Sequence, residues 1–282
     1  MIVVGLTGGI ASGKSTVSRL LQSSQIPVID LDVLAREVVR PEDASGTLSK
    51  LVNAFGDSIL QPSGELDRAA LGRIAFPDEK KRKILNKITH TAIRKRMAWL
   101  LVKHWLTGSK RVVVDTPLLI EAGLWKFCGQ IMLVWCSPSD QLSRMLSRDG
   151  PSGLTQSDAE SRLKAQHALS SKLPYADVVL DNSSALQGSE QTGSTLGADD
   201  VSPALQEQVQ ALVKSWQKQQ STLFGSVSWL ACWIIPPVGI LAGVWAIFRS
   251  RARIAARRRA ADISDDEAIQ RRSAIRLAKK DN

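Results

Sequence analysis

Short apolar runs alternate with helix-like stretches along the first two thirds of the chain. Five of these runs are predicted to be buried strands, at residues 2–6, 26–29, 111–114, 131–135 and 178–180. The intervals leave room for crossover helices, and continuous apolar strands are typical of parallel sheets covered on both faces. The pattern therefore predicts an α/β fold with a central parallel sheet flanked by helices.

The interval between the second and third predicted strands is longer than a crossover helix needs. Residues 33–105 carry mostly helical periodicity, and we interpret them as a helical substrate-binding insertion. Residues 183–203 are rich in serine, glycine and acidic residues, which predicts a flexible linker or surface loop. Helical periodicity returns over 204–220, so we assign one globular domain to residues 1–220.

The composition supports a folded core and divides the charge unevenly. The chain has 282 residues, of which 44% are hydrophobic, and this excludes general disorder. Of the net charge of +10, residues 249–282 carry +6, from 11 basic and 5 acidic residues. The three cysteines and three histidines lack the spacing of a disulfide framework or a zinc site, which favours a reducing compartment.

The strongest local motif lies between the first predicted strand and the helix after it. The motif is a glycine-rich phosphate-binding loop, in which the glycines permit a tight turn and backbone N–H groups bind phosphate oxygens. The lysine supplies a cation to the β- and γ-phosphates, and the serine hydroxyl is a ligand of Mg²⁺. The guanine-specifying pattern NKxD is absent from the sequence, so ATP is the predicted nucleotide. The motif GxxxxGK[ST] is matched by Gly8, Gly9, Ile10, Ala11, Ser12, Gly13, Lys14 and Ser15, with Thr16 following as a polar neighbour.

Two acidic residues stand at the end of the second predicted strand. Asp30 and Asp32 fall where the carboxyl ends of parallel strands face the ligand crevice, and Arg36 follows Asp32 by four residues. A carboxylate there can accept a hydroxyl proton or orient a metal-bound water. Either aspartate is alternatively the N-cap of the next helix, and one residue can serve both purposes.

Several segments, in chain order, resemble the dephospho-CoA kinase family. The phosphate loop is common to many P-loop kinases, whereas Asp-x-Asp-x-x-Ala-Arg and Pro-Leu-Leu-x-Glu are far more specific to this family. One departure is Thr91, which follows His90 where the family usually has His-Pro. The resemblance covers about residues 1–182, and its segments are 6–16, 28–39, 66–71, 85–90, 114–121, 144–149 and 176–182.

The resemblance implies an enzyme that transfers the γ-phosphate of ATP to the ribose 3′-hydroxyl of dephospho-CoA, the last step of coenzyme A biosynthesis. It implies Mg²⁺ as cofactor, a helical CoA-binding insertion and a lid over residues 144–175. Asp32 would be the base or the orienting carboxylate, and Asp115, at the end of the third strand, would stand near the magnesium. The acceptor pocket would be lined by Arg36, His90, Pro117, Leu118 and Leu119.

Alternatives stay open for four of these residues. Arg144 and Arg148 lie four apart on one helix face, where they would contact the transferring phosphates as part of the lid. The alternative is a solvated helix face, with Asp140 as the i,i+4 partner of Arg144. Asn182 would bind the adenine edge or occupy a turn, and His90 would contact the substrate or be a structural histidine.

Residues 223–248 contain no charged residue and are predicted to be a membrane segment, with a basic tail over 249–282. As one helix they would be roughly 39 Å long, enough to cross a hydrocarbon core of ~30 Å, and a buried soluble helix is the alternative. Pro236 and Pro237 would kink or split that helix. The arginines that follow favour a shallow hairpin that keeps them on the side of the ATP-using domain, although a single span stays open. Attraction to anionic lipid is the simpler interpretation of these arginines than binding to nucleic acid.

These interpretations predict a membrane-attached kinase whose catalytic domain faces the cytosol, at the endoplasmic reticulum or the mitochondrial outer membrane. The expected partners are dephospho-CoA, membrane lipid through residues 223–259, and other enzymes of the same pathway, with no nucleic acid. Two alternatives stay open: another small-molecule P-loop kinase, and a weakly active P-loop membrane scaffold. The presence of Lys14, Ser15, Asp32 and Arg148 argues against the scaffold.

Overall fold

A computed structural model describes residues 1–183, 202–221 and 236–259. Most of the predicted linker, the first half of the apolar segment and the tail beyond residue 259 lie outside these ranges. The chain divides into two compact units. Unit 1 comprises Met1–Val28 and the part of the chain from Gly108 on, and unit 2 comprises Ile29–Thr107.

Strands and helices alternate along unit 1, whereas unit 2 is mostly helical. The strands are β1 (Ile2–Gly8), β2 (Val28–Asp30), β3 (Arg111–Asp115), β4 (Gln130–Trp135) and β5 (Val178–Asp181). The helices are α1 (Lys14–Ser23), α2 (Leu31–Glu37), α3 (Thr47–Phe55), α4 (Arg68–Ala75), α5 (Glu79–Leu106), α6 (Pro138–Asp149), α7 (Gln156–Ala165), α8 (Leu169–Lys172), α9 (Pro203–Ser221) and α10 (Pro236–Arg259).

The five strands form one sheet in the order β2-β3-β1-β4-β5. β1 pairs in parallel with β3 and β4, and β4 pairs in parallel with β5. The predicted central parallel sheet flanked by helices is therefore confirmed. Because β1 is the central strand, the loop that leaves its end lies at the middle of the carboxyl edge of the sheet.

Alternate residues of β4 point to two different apolar layers, as the pleat of a strand requires. Met132 and Val134 join a cluster supplied by α1 and α9, which includes Leu21 and Trp216. Leu133 and Trp135 join a second cluster that covers the other face, with Leu169, Leu173, Ala176 and Val179. Unit 2 has a core of its own from α2–α5, which includes Val38, Leu51, Ile59, Leu71 and Ala92.

Side chains of α9 attach it to the sheet edge by polar contacts as well. The Gln208 side chain accepts from the Asp181 N–H at 2.9 Å and donates to the Asp181 carbonyl at 2.8 Å. Arg111 lies 5.0 Å over the Trp216 ring and donates to Gln219 Oε1 at 2.8 Å. Burial lowers the pKa of Arg111 to about 10, so its guanidinium stays charged at neutral pH.

α10 begins at the two prolines of the predicted membrane segment. A proline at the first helical position loses no hydrogen bond and its φ already suits the helix, so Pro236 does not interrupt α10; the part of the segment before it lies outside the described residues. Residues 236–248 and the following arginines therefore form one helix, which packs on unit 1 through the buried Ser250 and Ile254. None of the helices in the described ranges is long and apolar enough to cross a bilayer.

Four of the six arginines of α10 contact other parts of unit 1, which corrects the assignment of these four to lipid. Arg253 and Arg257 both donate to the Asp177 carboxylate, whose side chain is only 8% exposed. They also donate to the carbonyls of Gly129, at 3.2 Å, and Ala176, at 2.5 Å. Arg251 donates to the Lys126 carbonyl at 3.1 Å, and Arg258 lies 5.4 Å over the Tyr175 ring. We call the Asp177, Arg253 and Arg257 cluster the α10 clasp.

Asp177→Asn should lower the free energy of unfolding by about 1–3 kcal/mol, because it removes the charge that two guanidinium groups share. Urea unfolding followed by tryptophan fluorescence measures the change. Glu42→Gln is the matched control, since it removes an exposed carboxylate of unit 2. An equal loss in both variants would show that the clasp adds nothing to stability.

Candidate active site

The backbone of the loop between β1 and α1 passes close to neighbouring side chains, and one of its residues has a positive φ. Gly13 has φ of +93° and precedes the first turn of α1. A Cβ at Gly8 would lie 2.6 Å from Ser12 Oγ, and one at Gly13 would overlap the Asn182 amide. A Cβ at Gly9 would overlap the Gln141 amide in the same way. The positive φ of Gly13 favours glycine, whereas a Cβ at Gly8 or Gly9 would displace a neighbouring side chain; this close path of the backbone suits a phosphate-binding loop.

Three amide side chains hold the loop in place. Asn182 Nδ2 donates to the Ser12 carbonyl at 3.0 Å, and Gln141 Nε2 donates to the Ile10 carbonyl at 2.7 Å. The Ile10 N–H donates to Gln166 Oε1 at 2.9 Å. The Asn182 side chain thus supports the loop in this structure, whereas the sequence suggested adenine recognition or a simple turn.

Lys14 and Asp115 form an ion pair at the carboxyl ends of two neighbouring strands. Lys14 Nζ lies 2.5 Å from Asp115 Oδ1, and the side chains are 16% and 1% exposed. The Ser18 hydroxyl donates to the other carboxylate oxygen. Ser18 follows Lys14 by one helical turn, so both side chains reach the same carboxylate. Asp115 therefore holds the Lys14 ammonium beside the loop.

The residues around the loop fit the magnesium that accompanies ATP. Within the described ranges, no three His, Cys, Asp or Glu side chains cluster as metal ligands. Mg²⁺ commonly binds through one or two protein groups together with substrate phosphates, so such a cluster is unnecessary. The exposed Ser15 hydroxyl begins α1, and the Asp115 carboxylate ends β3 at the same edge of the sheet. Ser15 is the group that would hold the ion, and Asp115, whose two oxygens accept from Lys14 and Ser18, would stand beside it.

The two arginines of α6 have different environments. Arg144 Nη2 donates to the Asn182 carbonyl at 2.6 Å, and its Nη1 is buried without a hydrogen-bond partner. A buried donor of this kind is costly unless a ligand satisfies it, so Arg144 fits a bound anion or base. Arg148 forms two hydrogen bonds to Asp149, at 2.8 and 2.9 Å, and these raise the pKa of Arg148.

The turn after β3 is fixed by a buried lysine. The Pro117 carbonyl accepts from Thr7 Oγ1 at 3.0 Å and from Lys172 Nζ at 2.7 Å. Lys172 also pairs with Glu121 at 2.8 Å, although its own side chain is only 5% exposed. Leu118 is 56% exposed and available to a ligand. Leu119 is fully buried, which corrects its assignment to the acceptor pocket: it is a core residue against Gly5.

In unit 2 the two aspartates at the junction of β2 and α2 have separate roles. Asp30 is the N-cap of α2 and accepts from the N–H groups of Asp32 and Val33, at 2.8 and 3.1 Å. The Asp32 side chain is exposed in the first turn, with Arg36 one turn further along α2. His90 is exposed on α5. Asp32 is therefore free of the capping role and available to a substrate.

Unit 2 also contains an open pocket of ≈ 730 Å³ between α3, α5 and the segment before α3. Its wall is apolar where Ile88 and Trp99 contribute. Arg96 lies 5.0 Å over the Trp99 ring. Four cations and one carboxylate line it: Lys50, Lys87, Lys95, Arg96 and Asp43. We call it the basic pocket.

Comparison with known proteins assigns the family. The dephospho-CoA kinase family profile matches residues 2–188. The chain belongs to the dephospho-CoA kinase family. A dephospho-CoA kinase of Arabidopsis thaliana is 48% identical over 186 residues, which cover 66% of this chain and 78% of that protein. A dephospho-CoA kinase domain-containing protein of Danio rerio is 45% identical over 184 residues, covering 65% and 78%.

A solved structure agrees with the fold of the kinase. The crystal structure of TT1252 from Thermus thermophilus has a TM-score of 0.58 and 28% identity, covering 78% of this chain and 98% of that one. The chain is thus a dephospho-CoA kinase that uses ATP. The family match ends at residue 188, so α9 and α10 lie outside it.

Several polar residues of the kinase site carried no recognisable signal in the sequence. Gln141, Gln166 and Lys172 act on segments that are 131, 156 and 55 residues away. A lone glutamine or lysine on a helix is ordinarily a surface residue, so only the fold reveals these contacts. Of these polar residues, only Ser18 could have been found from the sequence, because it follows Lys14 by four residues on α1 and so lies on the same helix face.

Proposed function

We propose that this kinase transfers the γ-phosphate of ATP to the ribose 3′-hydroxyl of dephospho-CoA, completes coenzyme A, and uses Mg²⁺. The observation that carries the proposal is the Lys14–Asp115 pair beside a glycine-rich loop that ends in Gly13 at positive φ. This arrangement suits phosphoryl transfer, in which catalysis is mostly positioning and charge stabilisation. The membership of the family supports dephospho-CoA as the acceptor.

On the donor side, the loop N–H groups and the amino end of α1 bind the phosphates. Lys14 supplies positive charge as the bond between the β-phosphate oxygen and the γ-phosphorus breaks. Ser15, with Asp115 nearby, would hold Mg²⁺, which would supply charge neutralisation at the phosphate oxygens. Arg144 satisfies its buried Nη1 on the nucleotide, and Arg148 reaches the phosphates only by leaving Asp149.

On the acceptor side, Asp32 accepts the proton of the 3′-hydroxyl as that oxygen forms its bond to the γ-phosphorus, and ADP leaves. Arg36 and the exposed His90 contact the acceptor. Pro117 and Leu118 present a turn that Lys172 and Thr7 keep in one position. Asp32 thus receives the proton, the acceptor oxygen receives the phosphoryl group, and ADP is the leaving group.

The basic pocket suits the remaining part of dephospho-CoA, its diphosphate and pantetheine arm. Val38, on the pocket wall, follows Asp32 by six residues along one helix, or about 9 Å. The cations of the pocket match a diphosphate, and Ile88 and Trp99 match an uncharged arm. Within the described residues Lys87 and Lys95 have no carboxylate partner, so both are available to an anion.

The test is a product assay with analogues that differ at one hydroxyl. Full-length protein, ATP and Mg²⁺ should convert dephospho-CoA into a product heavier by one phosphate, detected by mass spectrometry. The 2′-deoxy analogue should be converted, and the 3′-deoxy analogue should not. Conversion of the 3′-deoxy analogue, or failure with dephospho-CoA itself, would overturn the proposal.

We also propose that the chain is attached to a membrane through residues 223–259, by contact with one face of the bilayer. The cytosolic face of the endoplasmic reticulum or of the mitochondrial outer membrane is the proposed location. The apolar composition of residues 223–248 supports this attachment. Docking of other enzymes of the same pathway on the chain stays a proposal that rests on location alone.

A further inference from the structure

The amino-terminal half of α10 carries large apolar side chains that nothing in the described structure covers. Their spacing places them on one side of the helix over a length of about 12 Å. Contiguous exposed apolar residues of this size mark interaction surfaces. We call them the apolar stripe: Ile240, Leu241, Val244, Trp245 and Phe248, each between 58% and 71% exposed.

The stripe has a fixed position on unit 1, because the other half of the same helix is docked. Ser250 and Ile254 are fully buried, and the α10 clasp joins the helix to Asp177. The clasp thereby sets the direction in which the stripe faces, which a flexible tail would not do.

α10 lies at the end of the strands opposite the phosphate loop. Its contacts Gly129 and Asp177 immediately precede β4 and β5, at the amino ends of these strands. The phosphate loop leaves the carboxyl end of β1, which is parallel to β4. A surface that binds the stripe therefore approaches unit 1 from the side away from the nucleotide.

The sequence around the stripe favours an anionic lipid surface as its occupant. Residues 222–235, which lead into α10, contain no charged residue, so the stripe continues an apolar segment. Residues 236–259 contain six arginines and no acidic residue. Arg249 stacks on Trp245 of the stripe at 5.2 Å, and the exposed Arg251 follows it by two residues. A second copy would bring like charges together, whereas tryptophan and arginine suit an anionic interface.

We propose that α10 lies along an anionic bilayer with the apolar stripe among the headgroups and the phosphate loop turned away from the membrane. This inference rests on the proposed membrane attachment and adds its contact surface and its orientation. The clasp arginines bind protein, so Arg249 and the stripe provide the lipid contact.

A fluorescent label can test the contact on the full-length protein. Cys128 and Cys136 are buried, and this burial raises the pKa of each thiol to about 12 and disfavours labelling at neutral pH, while Cys232→Ser removes the third thiol. In that background an environment-sensitive fluorophore is placed at Val244→Cys, or at Ala256→Cys as the matched control in the docked half. Vesicles of phosphatidylcholine with phosphatidylserine should shift the emission of the label at 244 to the blue. The label at 256 should not respond.

Flotation with the same vesicles measures how much the apolar stripe contributes to membrane binding. Leu241→Glu with Phe248→Glu should reduce the bound fraction at least about tenfold, since two large apolar side chains would no longer leave water on binding. The variant should keep the kinase rate of the unaltered chain, because the stripe contacts no part of the site. Vesicles of phosphatidylcholine alone should bind the unaltered chain less.

Each other outcome overturns a defined part of the inference. Undiminished flotation of the double variant would place the lipid contact outside the stripe and leave membrane attachment intact. Absence of flotation by the unaltered chain would overturn the attachment itself without affecting the kinase assay. Equal binding to neutral vesicles would overturn the anionic preference. A shift at 244 that grows with protein concentration without vesicles would show that a second copy covers the stripe.

Discussion

Lys14→Met should lower kcat by about 10²–10³-fold, the loss typical of removing one preorganised charge from a transition state. The variant also leaves Asp115 almost fully buried without its cation, which is unfavourable for folding. Activity and stability should therefore both fall. Steady-state kinetics with saturating ATP and dephospho-CoA measure the first effect, and urea unfolding measures the second.

Two further variants separate these effects. Lys14→Met with Asp115→Asn removes both members of the ion pair and should restore stability while activity stays low. Lys14→Arg keeps a charge beside Asp115 but replaces a compact ammonium with a planar guanidinium, so stability should stay near that of the unaltered chain while kcat falls. Recovery of activity in the Lys14→Met, Asp115→Asn variant would show that Lys14 serves only to neutralise Asp115.

The sheet and the phosphate loop were predictable because their requirements are local. A strand such as β1 is apolar throughout when both faces are covered, and the loop must be glycine-rich where phosphate and Asn182 approach the backbone. Both requirements appear within one short stretch of sequence. Asp115 was expected at the end of β3 and, through the family resemblance, near the magnesium, whereas its ion pair with Lys14 is known only from the structure.

The partners that complete the site were not predictable, because they come from distant segments. Gln141 and Lys172 lie on helices and Gln166 directly follows α7, so local periodicity shows only which face is polar. Leu119 was assigned to the acceptor pocket within a motif, yet it packs against Gly5. Burial of one residue within a turn depends on the neighbouring strand, which the motif does not encode.

The tail shows how an adjacent apolar run can mislead the interpretation of a charge cluster. Arg253 and Arg257 stand beside an apolar run, so lipid appeared to be the obvious partner. Their actual partner, Asp177, is 76 and 80 residues earlier in the chain. An ion pair between residues this far apart leaves no pattern in either local segment. What the sequence did show is the apolar character of residues 240–248, which the fold leaves exposed.

Asp32→Asn should lower kcat by about 10²–10⁴-fold, the range for loss of a general base, with little change in the KM for ATP. Asparagine keeps the size of the side chain and loses only the ability to take the 3′-hydroxyl proton. Asp30→Asn is the matched control two residues away: asparagine caps a helix as well as aspartate does, so kcat should stay within about threefold. A loss in Asp30→Asn equal to that in Asp32→Asn would mean that both variants act by disturbing α2. Full activity of Asp32→Asn would remove it from the mechanism and leave proton transfer to solvent.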